Sequence, residues 1–136
     1  MSCGTTRAQA GHVPKKTSVL VIEDDQDIRQ IMEMILVDEG YRVATAVDGV
    51  AGVAEAATFD PDIIVLDLQM PRLHGGDVIR AYRRRSDARA KIVVVSATPR
   101  NDPIIGQLRV DDFIKKPFEM NDLVRRVHDL APLFAA

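Results

Sequence analysis

The sequence predicts an α/β fold in which a parallel sheet lies between two layers of helices. Short runs rich in Val and Ile recur along the chain, and segments with apolar residues at helical spacing lie between them. When strands alternate with helices, each helix returns the chain to the same edge of the sheet, so the strands run parallel. The length of 136 residues suits one such domain.

Five segments have the composition of strands. They are residues 19–22, 41–46, 63–66, 92–95 and 113–114. The first, third and fourth are continuous runs of Val, Ile and Leu, which is typical of strands buried on both faces.

The first two inter-strand segments carry clear helix signals. The first has an apolar face at helical spacing: Ile28, Ile31, Met32, Ile35 and Leu36. Asp25 or Asp27 can cap its start, and Gly40 stands where the end of a helix favours a left-handed residue. The second helix is predicted from Asp48-Gly49 to about Phe59, with Pro61 as its stop.

A loop is predicted over residues 68–76, marked by Pro71 and by Gly75-Gly76. The third helix is then expected from Asp77 to about Arg85, with Val78, Ile79 and Tyr82 inward.

The fourth helical segment, residues 98–111, is the weakest, because two prolines and a glycine interrupt it: Pro99, Pro103 and Gly106. The last helix has a continuous apolar face: Met120, Leu123, Val124, Val127 and Leu130. The whole pattern is five strands alternating with five helices.

Right-handed crossovers leave few topologies for such a chain. We predict a flavodoxin-like, doubly wound (βα)5 three-layer sandwich with strand order 2-1-3-4-5. In this order the chain reverses direction across the sheet between the first and third strands, which places a crevice at their carboxyl ends.

Composition narrows the class of protein. The chain is 46% hydrophobic and 28% charged with a net charge of −2, typical of a soluble protein without bulk nucleic-acid binding. No apolar run approaches the length of a membrane span. The single cysteine, Cys3, excludes an internal disulfide and favours a cytoplasmic location. We divide the chain into a flexible tail, residues 1–17, and one domain, residues 18–136.

Polar residues follow four of the predicted strands. Glu23 and Asp24 follow the first strand, Asp67 the third, Ser96 the fourth and Lys116 the fifth. The carboxyl ends of parallel strands meet at one edge, so these side chains are expected to converge. Clustered carboxylates are the ligands that Mg²⁺ prefers, and one of them could act as a phosphoryl acceptor beside a lysine and a hydroxyl. Acidic residues after a strand can also simply cap the next helix.

The chain resembles the receiver domain of two-component response regulators, the CheY-like superfamily, over about residues 18–131. The motifs that carry the resemblance are residues 21–25 (Val-Ile-Glu-Asp-Asp), 67–71 (Asp-Leu-Gln-Met-Pro), Ser96-Ala97 and 116–118 (Lys-Pro-Phe).

The resemblance implies a role for each of these residues. Asp67 would accept a phosphoryl group from a sensor histidine kinase or a histidine phosphotransfer protein. Glu23, Asp24, Asp67 and the backbone carbonyl of Gln69 would bind Mg²⁺. The phosphoryl group would also be contacted by two side chains, Ser96 and Lys116, with a cis peptide bond between Lys116 and Pro117.

The resemblance also implies a switch. The Ser96 hydroxyl would move toward the phosphoryl group, and Phe113 on the fifth strand would turn inward behind it. Plain core packing is the other interpretation of Phe113. The Ser96-to-Lys116 spacing is slightly short, and Leu108-Arg109-Val110 replaces the usual small residue–Gly pair. We therefore expect a short, displaced or mobile fourth helix.

We expect a single-domain response regulator that acts on a downstream protein target, with no direct nucleic-acid or membrane binding. It would be a monomer or a phosphorylation-dependent dimer. The alternative is the receiver of a longer regulator with a DNA-binding or enzymatic output domain. A phosphatase with an aspartyl-phosphate intermediate is disfavoured, because Gln69 stands where its acid/base aspartate would be. At most, slow autodephosphorylation is expected. A flavodoxin-like cofactor binder is disfavoured because no Gly- or Ser/Thr-rich phosphate loop follows the first strand.

Overall fold

A computed structural model describes residues 16–69, 75–98 and 103–131. The strands in these ranges, β1 to β5, are Ser18–Ile22, Arg42–Ala46, Ile63–Asp67, Lys91–Ser96 and Asp112–Lys115. The helices, α1 to α5, are Gln26–Asp38, Gly49–Phe59, Gly75–Arg83, Pro103–Gly106 and Met120–Leu130. Residues 1–15 of the predicted tail, Met70 and Pro71 of the motif after β3, and Pro99 lie outside the described residues.

The strands form one parallel sheet in the order β2-β1-β3-β4-β5, which confirms the predicted topology. The sheet begins slightly earlier than predicted. Thr17, which the sequence assigned to the tail, is buried, and its carbonyl accepts a hydrogen bond of 2.9 Å from the backbone N–H of Arg42.

Alternate residues of the central strands face two separate cores. One core holds Leu20, Ile64 and Val94 of the sheet together with apolar residues of α2 and α3. The other holds Val21 and Val65 together with residues of α1 and α5. The sheet is therefore covered on both faces, as continuous apolar strands require. None of the helices in the described ranges combines the length and apolar composition needed to cross a bilayer.

The ends of α1 and α2 follow the predicted signals. The Asp25 carboxylate accepts a hydrogen bond of 3.0 Å from Ile28 N, and the Asp48 carboxylate accepts one of 2.8 Å from Ala51 N. Gly40 has a φ of 99° just after α1, where a side chain would strain the backbone. Asp60 ends α2 with a φ of 52°, a left-handed conformation that aspartate tolerates better than most residues.

The predicted start of α3 was wrong. Gly75 and Gly76 were assigned to the preceding loop, but both are buried and begin the helix, which ends at Arg83. A Cβ on Gly75 would lie 2.6 Å from the Cα of Leu68. The glycine therefore serves close packing of the helix start against the chain that leaves β3.

Within the residues described from 103 onward, the fourth helix is a four-residue turn, α4 (Pro103–Gly106), which agrees with the short fourth helix among the predicted possibilities. The chain after it is anchored by Arg83, whose guanidinium donates to the carbonyls of Ala90 (3.0 Å) and Arg109 (3.3 Å) and to Asp111 (3.3 Å). Asp111 also accepts a hydrogen bond of 2.8 Å from Ile92 N. These contacts connect α3, β4 and the approach to β5.

Candidate functional site

The parallel sheet brings the predicted polar residues to one edge. Ile22 at the end of β1 is level with Leu66, and Asp67 at the end of β3 is level with Val95. Lys116 follows β5 directly, and its N–H donates to the carbonyl of Ser96 at 2.9 Å. The register therefore places the ends of β1, β3, β4 and β5 around one crevice.

Three carboxylates meet in this crevice. One oxygen each from Glu23, Asp24 and Asp67 lies within 4.8 Å of the others. Glu23 and Asp67 are buried, with 2% and 4% of their surfaces exposed, whereas Asp24 is exposed. Two of the acidic groups are therefore held away from solvent beside a third that faces it.

Glu23 is the member of the cluster whose charged form is disfavoured by its surroundings. Its Oε2 accepts a hydrogen bond of 3.1 Å from Asp25 N, but its buried Oε1 has no hydrogen-bond partner among the described residues. Burial raises the pKa of the Glu23 carboxyl to about 7, with Asp67 and Asp24 adding to the rise and the Asp25 N–H and Lys116 opposing it. A cation among the three groups would offset both the burial and the repulsion.

The oxygen ligands that this cluster offers are of the kind that Mg²⁺ prefers. Mg²⁺ is a hard ion that takes oxygen ligands and is usually held by one or two carboxylates with several waters. The carboxylates of Glu23, Asp24 and Asp67 supply such oxygens, and the orphaned Glu23 Oε1 is an acceptor with unused capacity.

Asp67 is held by two contacts that differ in charge. Its Oδ1 accepts a hydrogen bond of 2.9 Å from the backbone N–H of Gln69, and its Oδ2 lies 2.9 Å from the ammonium of Lys116. The peptide bond between Lys116 and Pro117 is cis, as the resemblance implied. The neighbouring Lys115 is exposed, so only one lysine of the pair points into the crevice.

The side chain of Gln69 makes contacts that the sequence did not predict. Its Nε2 donates to the Ser96 hydroxyl at 3.0 Å and to the Thr98 hydroxyl at 2.9 Å, and its Oε1 accepts from Ala97 N at 3.2 Å. The sequence singled out only the backbone carbonyl of this residue. A polar side chain two residues after β3 is not by itself a signal, because its partners lie on another strand.

Arg29 is a second residue that the sequence did not single out. Its guanidinium donates to the backbone carbonyls of Glu23 (2.9 Å) and Asp24 (3.4 Å) from the first turns of α1. It thereby ties the acidic turn to the helix that follows. The only sequence signal was a basic residue one turn into a helix that starts at an acidic cluster.

Phe113 lies inside the core rather than at the surface. It is 5% exposed and packs in the core shared with α2 and α3, opposite Val94 in the sheet. Its position on β5, beside Val94 of β4, suits both core packing and the predicted switch.

Comparisons with known proteins define the class of protein. The model of the response regulator receiver domain family matches residues 19–128, and the chain belongs to this family. As a receiver domain it is a signalling domain and not a typical enzyme. Receiver domains bind Mg²⁺ at an acidic pocket, and response regulators receive phosphate from histidine kinases and act on downstream targets.

Individual relatives agree with this assignment. The response regulator SaeR of Staphylococcus aureus is 34% identical over 115 residues, which are 84% of this chain and 50% of that protein. This chain thus spans about half the length of that relative. The chemotaxis protein CheY4 of Vibrio cholerae has a TM-score of 0.79 at 27% identity, covering 85% of this chain and 99% of that one. The response regulator TrrA of Thermotoga maritima, solved in complex with Mg(2+)-BeF, has a TM-score of 0.73 at 28% identity, covering 84% and 98%.

Proposed function

We propose that this receiver domain accepts a phosphoryl group on Asp67 in a Mg²⁺-dependent reaction. The observation that carries the proposal is the setting of Asp67. It is a buried carboxylate whose Oδ2 lies 2.9 Å from Lys116 and whose neighbours are the Glu23 and Asp24 carboxylates. No other group of three acidic or metal-binding side chains lies this close together within the described ranges.

In the proposed step, an Asp67 carboxylate oxygen attacks the phosphorus of a phosphohistidine. A new P–O bond forms, the P–N bond breaks, and the electron pair of that bond returns to the imidazole nitrogen, which takes up a proton. Phosphoryl transfer depends mainly on positioning and on neutralising charge. The ammonium of Lys116 neutralises charge on the transferred group, and the Ser96 hydroxyl can donate to a phosphoryl oxygen.

Glu23, Asp24, Asp67 and the backbone carbonyl of Gln69 are the groups that would hold the metal ion. When bound, Mg²⁺ supplies positive charge next to the acceptor carboxylate and the phosphoryl oxygens. The chain's own contribution is to aim these oxygens: the Asp25 N–H orients Glu23, and Arg29 holds the turn that carries Glu23 and Asp24.

The donor in this proposal is a sensor histidine kinase or a histidine phosphotransfer protein, in the cytoplasm. Phosphorylation would shift Ser96 and Phe113 and thereby change the preference for a downstream protein partner. The protein would act as a monomer or as a phosphorylation-dependent dimer. The match to SaeR covers only half of that protein. A second candidate function is therefore the receiver domain of a longer regulator with an output domain.

The proposal is tested by intact mass after incubation with acetyl phosphate and Mg²⁺. The native protein should gain one phosphoryl group, the gain should disappear with EDTA, and Asp67→Asn should abolish it. Asp38→Asn, the same change at an exposed position of α1, is the matched control and should behave as native. A gain that survives Asp67→Asn would exclude this acceptor, and no gain from either acetyl phosphate or a phosphohistidine protein would refute the reaction.

Lys116→Met separates the role of the lysine from that of the carboxylate. It removes the ammonium that lies 2.9 Å from Asp67 and keeps an apolar stem of similar length. We expect phosphorylation to slow by roughly tenfold or more, because a preorganised charge is lost from the site. An unchanged rate would contradict the assignment of Lys116.

A further inference from the structure

The carboxamide of Gln69 joins the chain after β3 to the chain after β4. Its contacts with the Ser96 hydroxyl, Ala97 N–H and Thr98 hydroxyl measure 3.0, 3.2 and 2.9 Å. We call these three contacts the Gln69 bridge. Both ends of the amide are used, so the bridge fixes the orientation of the side chain as well as its position.

The Ser96 hydroxyl is the central partner of the bridge. It is completely buried, and its oxygen accepts hydrogen bonds from Gln69 Nε2 at 3.0 Å and from Thr98 N at 3.0 Å. A hydroxyl oxygen has two acceptor sites, so both are occupied in this arrangement. The position of Ser96 is therefore set by residue 69 and by the chain that follows β4.

From this geometry we infer that Gln69 is a positioning residue that holds Ser96 and the turn after β4 in the resting arrangement. The inference rests on the proposed function, since the arrangement that competes with it is the one that a phosphoryl group on Asp67 would favour. A contact made only in the resting state shifts the equilibrium toward that state and weakens apparent binding of any ligand that needs the other state.

The exposure of Gln69 makes the bridge releasable. Gln69 is exposed, whereas Ser96 is completely buried. When Ser96 moves toward a phosphoryl oxygen, the Gln69 amide can hydrogen-bond to water, and the Ser96 hydroxyl gains a charged acceptor. The hydrogen bonds that break in this step join neutral groups and have modest net strength. The bridge would therefore shift the equilibrium toward the resting arrangement without preventing the change to the other arrangement.

Titration with beryllofluoride and Mg²⁺, followed by amide NMR, tests the inference. Beryllofluoride mimics a phosphoryl group on a carboxylate. Gln69→Met removes the amide at similar length without adding charge, and we expect it to tighten apparent beryllofluoride binding by about three- to tenfold. Gln30→Met makes the same change on the exposed surface of α1 and should leave binding at the native value.

A double-mutant cycle shows whether the effect passes through Ser96. In a Ser96→Ala background the change at residue 69 should no longer tighten binding, because the hydroxyl that the amide holds is gone. Thr98→Val, which removes one acceptor of the bridge and leaves the Ser96 contact, should give a smaller effect. Unchanged or weaker binding by Gln69→Met, or equal tightening with and without the Ser96 hydroxyl, overturns the inference.

Hydrogen exchange of the ligand-free protein tests the bridge without any phosphoryl mimic. The Ala97 amide donates to Gln69 Oε1, so its exchange should accelerate by about three- to tenfold in Gln69→Met while the Val94 amide in β4 stays unchanged. If Ala97 exchange does not change, the bridge is absent in solution and the inference fails. A native protein that shows the bridge but does not bind beryllofluoride with Mg²⁺ contradicts the proposed function and, with it, the role in switching.

Discussion

Replacing Glu23 by Gln should stabilise the metal-free protein at alkaline pH. Glu23 is 2% exposed, and its Oε1 has no partner among the described residues. Its ionised form is therefore disfavoured in the folded state by burial, and also by the charge of Asp67 and by a side-chain hydrogen bond with Asp24. Gln has nearly the same shape, can accept the Asp25 N–H and carries no charge.

The size of the effect follows from the pKa of Glu23. A rise from 4.5 to about 7 corresponds to on the order of 3 kcal/mol of folding free energy. Because the pKa of Glu23 is higher in the folded protein than in the unfolded chain, the stability of the native protein depends on Glu23 being protonated. This contribution to stability is fully present below pH 4.5 and is lost as the pH rises through about 7. The variant lacks this titration, so it should match the native protein at acid pH and exceed it by up to about 3 kcal/mol near pH 8.

Urea unfolding in EDTA, measured between about pH 5 and about pH 8, gives the two stability curves to compare. Glu33→Gln on α1, where the side chain is only partly buried, is the matched control and should follow the native curve. Added Mg²⁺ should stabilise the native protein at about pH 8 and stabilise Glu23→Gln less, since one ligand has lost its charge. Parallel curves for native and Glu23→Gln across this range would refute the reasoning.

Two further predictions concern stability away from the site. Asp62→Asn should cost about 1–2 kcal/mol near neutral pH, because the carboxylate is paired with Arg89. Burial acts to raise the pKa of Asp62, but the hydrogen bonds from β1 and the Arg89 contacts outweigh burial, so the pKa in the folded protein lies below 3.8. The extra stability of the native protein over Asp62→Asn should therefore disappear as the pH falls below 3.8 and through the pKa of the folded state. An equal loss at neutral and acid pH would exclude the charge as its cause. Gly75→Ala should cost about 1–3 kcal/mol in thermal unfolding, since its Cβ would lie 2.6 Å from Leu68 Cα. Gly106→Ala, with nothing within 4 Å of its Cβ, should change stability by less than about 0.5 kcal/mol, and equal effects at the two glycines would contradict the packing argument.

The strand order and the place of the crevice were predictable from local patterns together with the rule that crossover connections are right-handed. Continuous apolar runs such as residues 63–66 are typical of strands buried on both faces, and the helices between them require parallel strands. A polar residue directly after such a run must lie at the carboxyl edge of the sheet. This is why Glu23, Asp67, Ser96 and Lys116 could be assigned to one edge before any contact was known.

The start of α3 and the Gln69 bridge could not be predicted in this way. The Gly75-Gly76 pair predicts a loop from the sequence. The reason for a glycine at position 75 is its close packing against Leu68, in the chain that leaves β3, and this contact is visible only in the folded protein. Gln69 meets Ser96 across 27 positions of sequence. The anchoring of the chain after α4 by Arg83 likewise depends on carbonyls of two other segments.

By itself, then, the sequence determined the kinds of elements, their order in the sheet, the edge where the acidic residues collect and the family resemblance. The elements depend on periodicity and composition, which are properties of neighbouring residues, and the strand order follows from their alternation and from right-handed crossovers. Only the tertiary structure decided that Glu23 is buried with an unpaired oxygen, that Lys116 reaches Asp67, and that a glutamine amide holds Ser96. Burial and hydrogen bonding depend on which distant segments meet, and that is decided when the sheet assembles and its two cores pack.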